Sequence, residues 1–158
     1  MATPFDSPRW DTFGLLKEAF LALDQRFAEV NETKSSIDRS VLDLLIRVAR
    51  SPAATARPTD LAAGLALVPS RITRCLDDAE RQGFIERRAH PTDGRSTLIV
   101  LAPAGEALLA ELEGPLAHAQ ARLIHDLLGP EDVVTLERLT RTLRDEAQRT
   151  SSEDLIGR

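Results

Sequence analysis

Six arginines, Arg71, Arg74, Arg81, Arg87, Arg88 and Arg95, fall between Pro69 and Thr97, interleaved with the hydroxyls of Ser70, Thr73 and Ser96. These groups suit nucleic acid. The planar fork of arginine matches two acceptors on guanine, and Ser or Thr serves phosphates or bases. Five acids share the stretch (Asp77, Asp78, Glu80, Glu86, Asp93), leaving it at +1, whereas the rest of the chain holds 14 basic and 20 acidic residues. The formal charge of all 158 residues is −5. Overall acidity therefore conceals a local surplus whose sign suits a polyanion, because cations near phosphates supply the sequence-independent part of affinity.

Other chemistries find less support. Cys75 is the only cysteine, so no internal disulfide framework exists and a reducing compartment fits best. The start, Met1-Ala2-Thr3-Pro4-Phe5-Asp6, lacks the basic and apolar regions of a signal peptide. No apolar run approaches the ~20 residues that cross a bilayer. A cytoplasmic globular protein with no membrane partner is expected. His118, Arg122 and His125 share a helix face, but two histidines at i, i+7 lie too far apart to chelate one ion, so no metal is expected. There is no Gly-rich phosphate loop, His/Glu metal motif or nucleophile elbow, so the chain reads as a non-enzyme without a cofactor.

The elements that must position the arginines follow from periodicity. Phe13, Leu16, Phe20, Leu23, Phe27 and Val30 step by three or four, predicting a helix over 8–30 with a narrow apolar seam. That seam packs within the monomer or against a second chain. A polar break at 31–36 precedes a helix capped by Asp38 and running to Arg50. After a loop or short strand to Pro58, Thr59 is expected to cap a short helix over 60–67. Val68-Pro69-Ser70 then turns into a helix reaching Gln82, with Ser70 as its cap and Gly83 at C′. Ile72, Cys75, Leu76 and Ala79 form one face of this helix; Ser70, Arg71, Arg74, Asp78 and Arg81 form the other.

Two helices joined by a tight turn, the second basic and hydroxyl-bearing at its start, make a helix-turn-helix. The strands expected at 84–88 and 96–101, with Asp93-Gly94 at the turn, add a hairpin wing whose tip carries Arg95. Pro103 opens a long helix to about Leu128, which Gly114-Pro115 should kink, and a last helix covers 130–148. The fold class expected is mainly α with a small β-hairpin wing: a winged helix-turn-helix.

Over 37–109 the chain resembles the multiple antibiotic resistance regulator (MarR) family of winged-helix repressors. The resemblance is carried by Thr59-Asp60-Leu61-Ala62, by Val68 through Leu76, by Glu80 through Arg88, by His90-Pro91-Thr92-Asp93-Gly94-Arg95-Ser96 and by Leu101-Ala102-Pro103-Ala104-Gly105. Where members usually have Leu-Thr before the long helix, this chain has Leu101-Ala102 and lacks the capping hydroxyl. The resemblance implies one single-domain chain, with 8–36 and 103–149 as helical dimerisation regions and 37–102 as the DNA-binding lobe.

It further implies a homodimer, a roughly palindromic double-stranded operator, and a small, aromatic or phenolic effector that releases a repressor. It puts Ser70, Arg71, Thr73 and Arg74 at or near DNA, Arg95 at the wing tip and Asp93 as the acid that orients it. Arg87 and Arg88 contact the DNA backbone or support the wing, or Arg87 pins the hairpin beside Asp93; Ser96 completes the candidate set. Trp10 and Asp43 resemble the Trp and Asp of the urate-responsive branch. That branch has an arginine where Cys75 stands here, so urate itself is not expected. The alternatives are a thiol-based redox sensor working through Cys75, and a winged-helix dimer acting by protein–protein interaction.

Overall fold

The computed structural model describes residues 8–65, 67–93, 96–151, 153 and 154, apart from the side chain of Arg9. In chain order come α1 (Pro8–Lys34), α2 (Arg39–Ala49), a tight turn over Pro52–Ala54, β1 (Thr55–Ala56), α3 (Pro58–Gly64) and α4 (Pro69–Arg81). Then follow β2 (Ile85–Ala89), β3 (Thr97–Leu101), α5 (Pro103–Gln120), a π-helical turn (Ala121–His125) and α6 (Pro130–Arg149). The fold is the expected one, mostly helical with a small antiparallel sheet. Its strand order is β1-β3-β2, with Thr55 opposite Val100 and Ile85 opposite Leu101.

Local chemistry sets the boundaries. The Asp38 carboxylate accepts from the Ser40 N–H at 2.8 Å and caps α2 as its sequence predicts. Thr59 and Ser70 do not cap. Helices α3 and α4 each begin on a proline, with Arg57 and Val68 at the cap positions and no side-chain cap bond. Proline at the first helical position needs no N–H partner and brings its φ already set, which moves both hydroxyls one residue inside. At the far end of α4, Phe84 N–H donates to Ala79 C=O and Gly83 N–H to Glu80 C=O, each at 2.9 Å, with Gly83 at φ +74°. That paired arrangement requires a left-handed residue, hence glycine.

Two expected breaks sit elsewhere. Helix α1 runs through Asn31, which is buried: its amide donates to Ile37 C=O at 2.9 Å and its carbonyl oxygen accepts from Ser35 Oγ at 2.7 Å. A buried amide satisfied on both sides fixes the corner into α2. Helix α5 continues across Gly114-Pro115, and the departure from α geometry comes later, where Asp126 N–H reaches back five residues to Ala121 C=O at 2.8 Å.

The core is built by Val41, Leu42, Leu44, Leu45 and Val48 of α2 with Leu61, Ile72, Leu76, Ile85, Ile99 and Leu112. Near it, α5 rests on the start of the hairpin. A Cβ on Gly105 would lie 2.2 Å from the Phe84 carbonyl oxygen, so only glycine permits this approach. Outside the core the picture reverses: α6 buries no residue, and Phe13, Phe20 and Val134 are more than 60% exposed. Among the described residues no helix is long and apolar enough to cross a membrane, and no cluster of three or more His, Cys, Asp or Glu is arranged to hold a metal.

Candidate nucleic-acid interface

Helix α4 divides cleanly. Ile72, Cys75, Leu76 and Ala79 are buried, while Ser70, Arg71, Thr73 and Arg74 are exposed together on its N-terminal half. The inward anchors hold the helix while the outward residues stay available. Thr73 Oγ donates to Pro69 C=O at 2.9 Å, so this hydroxyl is engaged within the helix and offers only its lone pairs. Arg71 and Arg74 line a cleft with Ser70, Asp38 and Asp78. Neither arginine makes an ion pair among the described residues.

The other arginines differ. Arg81 pairs with Asp78 at 2.6 Å and Arg88 with Glu86 at 2.8 Å. Arg87 binds two acids of α4, Asp77 at 2.7 Å and Glu80 at 2.6 Å. It is this helix, rather than Asp93, that it ties to the hairpin. Among the described residues the structure separates two arginines without ion pairs, Arg71 and Arg74, from three paired ones. At the wing the Asp93 carboxylate accepts from Ser96 Oγ, and Ser96 N–H donates to Asp93 C=O at 2.9 Å, closing the turn. Gly94 and Arg95 lie outside the described residues, and with them the expectation that Asp93 orients Arg95.

A second site lies between the two regions. A cleft of about 660 Å³ is walled by α1, α2 and α5 through Phe27, Leu42, Asp43, Ile46, Leu116 and Ile124, with Arg39 and Arg50 as its cations. Arg39 is saturated: it pairs with Asp43 and Asp24, each at 2.9 Å, and sits over the Phe27 ring at 6.0 Å. Burial raises the Asp43 carboxyl above its usual range, outweighing the hydrogen bond and charge of Arg39, which lower it. Arg50 makes no ion pair among the described residues and is the cation open to a ligand.

Sequence reasoning missed Arg50, although positions 39, 43, 46 and 50 form one helical stripe that periodicity reveals. Trp10 does not join Asp43 within the chain. It stands edge-on to Phe13 at 6.3 Å, and 14 residues of α1, ~21 Å of helix rise, separate it from Asp24. Cys75 is buried, its Sγ–H donating to Ser40 C=O at 3.2 Å. Burial, with Asp38, Asp78 and Asp43 nearby, pushes its thiol up to about 11, the opposite of an activated thiolate.

Residues 37–97 match the sequence model of the MarR family. The whole fold is similar to that of Sco3205, a MarR family transcriptional regulator from Streptomyces coelicolor solved in complex with DNA. The TM-score is 0.77 at 23% identity, covering 98% of this chain and 94% of that one. A mutant MarR from E. coli complexed with operator DNA gives a TM-score of 0.74 at 22% identity, covering 90% and 99%. NadR in complex with 4-hydroxyphenylacetate gives 0.75 at 22%, covering 91% and 96%. Among curated proteins none has a matching sequence. A helix-turn-helix followed by a hairpin, the family match across that unit, and a fold shared almost end to end converge: residues 37–97 match the MarR family, and the chain around them has the fold of MarR regulators.

Proposed function

We propose that the chain is a homodimeric transcriptional regulator that binds a roughly palindromic double-stranded DNA site and acts as a repressor released by a small anionic ligand. One observation carries the reading. In a chain of charge −5, the start of α4 gathers Ser70, Arg71, Thr73 and Arg74 on one exposed face, and among the described residues its two arginines make no ion pair. Unpaired guanidiniums at the start of a recognition helix are what base edges and phosphates require. Arg88 and Ser96 of the hairpin are assigned to the same interface, and Arg95 to the minor groove beside it.

The dimer is supported by the apolar residues of the first half of α1, Phe13, Leu15, Leu16, Phe20 and Leu21, which stand exposed in a single copy beside Asp11, Lys17 and Glu18. Exposed apolar surface of this extent marks a contact surface. The effector reading is supported by the cleft between α1, α2 and α5, where Arg50 suits a carboxylate or phenolate and Leu42, Ile46 and Leu116 suit a ring. NadR, of like fold, was solved with such an anion, 4-hydroxyphenylacetate.

Selection from random duplexes tests the reading. A dyad motif with half-sites about one helical turn apart, ~10 bp, is expected. Affinity falls steeply with salt as arginines displace condensed counterions. Recovery of no motif, with affinity flat against salt, rejects DNA as the partner and leaves protein–protein interaction as the role of the wing.

A further inference from the structure

We propose that Arg87 is a positioning residue, a strut that sets the angle of the wing against α4, and not itself a phosphate contact. This rests on the reading of α4 and the hairpin as the DNA-binding surface. Strand β3 of the hairpin is anchored by Ile99 and Val100, but β2 is held by few of its own side chains. In β2 only Ile85 is buried, and Glu86, Arg87, Arg88 and Ala89 all face outward. The base of the strand is fixed by Ile85 in the core and by the backbone bonds from Phe84 N–H to Ala79 C=O and from Ala102 N–H to Phe84 C=O, each at 2.9 Å. Among the described residues, the ion pairs that reach α4 from beyond this base are those of Arg87.

Arg87 supplies that link. Its two terminal nitrogens reach Glu80 at 2.6 Å and Asp77 at 2.7 Å, residues three apart on one face of α4. One planar guanidinium therefore bridges a full turn of the helix, a geometry a lysine point charge cannot reproduce. The other pairs near it stay within one element, Arg81 with Asp78 inside α4 and Arg88 with Glu86 inside β2. Among the described residues, Arg87 makes the only ion pairs that cross from α4 to the hairpin.

The same geometry argues against a phosphate contact. One guanidinium with two carboxylates carries a net −1 and repels a polyanion. Reaching a phosphate would free two acids to face DNA. The strut instead fixes the angle at which β2 leaves α4, and so how the hairpin stands relative to Arg71 and Arg74.

A double-mutant cycle tests this on the duplex recovered by selection, with four proteins: wild type, Arg87→Gln, the pair Asp77→Asn and Glu80→Gln, and all three together. As a strut, Arg87→Gln weakens binding about tenfold in the wild-type background and has no further effect once both acids are gone. Its log–log salt slope stays that of wild type. An equal loss in both backgrounds, with a slope shallower by about 0.9, makes Arg87 a phosphate contact and overturns the proposal.

Amide hydrogen exchange provides the arm that needs no DNA. Faster exchange over 85–89 and 97–101 in Arg87→Gln and in the double acid variant, with α2 still protected, supports the strut; unchanged exchange overturns it. If wild type binds no duplex, it is the DNA reading that fails, and exchange alone decides the strut. Should Arg87→Gln fail to fold, Arg87→Lys replaces it, with exchange expected between wild type and the acid variant.

Discussion

The two regions of the molecule solve the problem of apolar burial differently. In the lobe over 37–102 every large core side chain finds cover within the chain: Leu44, Leu45, Val48, Leu61 and Ile99 are fully buried. The flanking helices carry comparable apolar content and leave it open, with Leu127 at 74% exposure and Val134 at 66%. Core Leu112 of α5 marks the border, joining the long helix to the lobe. The lobe buries its large core side chains within one copy, whereas α1 and α6 leave theirs exposed. The contrast supports the proposed dimer, because burial of each such side chain is worth about 1.5–3 kcal/mol.

The largest effect comes from attacking the open half. Phe20→Glu combined with Leu23→Glu should prevent assembly and unfold much of the chain, read by light scattering and circular dichroism; a well-folded monomer, mutant or wild type, breaks the comparison. Next, Leu44→Ala in the lobe should cost about 2–5 kcal/mol at any protein concentration. Leu139→Ala in α6 should instead destabilise increasingly on dilution, since its partner surface belongs to another copy. Thermal melts across a hundredfold range of concentration separate the two, and equal behaviour removes the distinction.

Smaller effects sharpen the picture inside the lobe. Arg74→Ala should lose about 1–3 kcal/mol, chiefly on the preferred duplex. Arg95→Ala should weaken all duplexes alike, because a minor-groove arginine reads width and potential. Competition between specific and scrambled duplexes gives both ratios, and a reversed pattern exchanges the two roles. The smallest concerns Cys75. With its thiol raised from 9.0 to about 11, the folded state favours the protonated form. The associated stability is full below the ordinary thiol value and is lost as pH climbs toward 11. Alkylation of folded protein should be slow near neutrality and accelerate through the alkaline range; rapid labelling at pH 7 revives the redox alternative.

Much of the fold is legible because its signals are local. The apolar spacing of α2 and α4, Asp38 as a cap and Gly83 after α4 are each decided within a few residues. The misplaced caps at Thr59 and Ser70 show where local rules compete: proline at the first helical position overrode the adjacent hydroxyl. Strand β1 is legible only as one of two alternatives, a loop or a short strand, for a different reason. It has two residues, its partners Ile99 and Val100 lie more than 40 residues away, and it is preceded by Ala53 and Ala54 at φ +54° and +50°, where alanine rarely goes. The site divides likewise. Which arginines share the α4 face follows from helical period, but which are free does not, because the acids that bind Arg87 sit on another element. The pair of Arg39 with Asp43 lies one turn apart on α2 and is within reach of helical spacing, whereas Asp24, fifteen residues before Arg39, is on another helix.

The π turn at Ala121–His125 gives the molecule a distinctive tolerance to change in chain length. That turn accommodates one residue more than an α-helix would over the same rise. Deleting a single codon there leaves every side chain of the lobe in place and restores a regular helix. Because the turn absorbs its extra residue locally, what lies downstream keeps its direction about the axis of α5. The apolar row of Val133, Leu136, Leu139 and Leu143 therefore keeps its facing in the shortened chain. A deletion that would turn the end of a regular helix by roughly 100° is absorbed at this point.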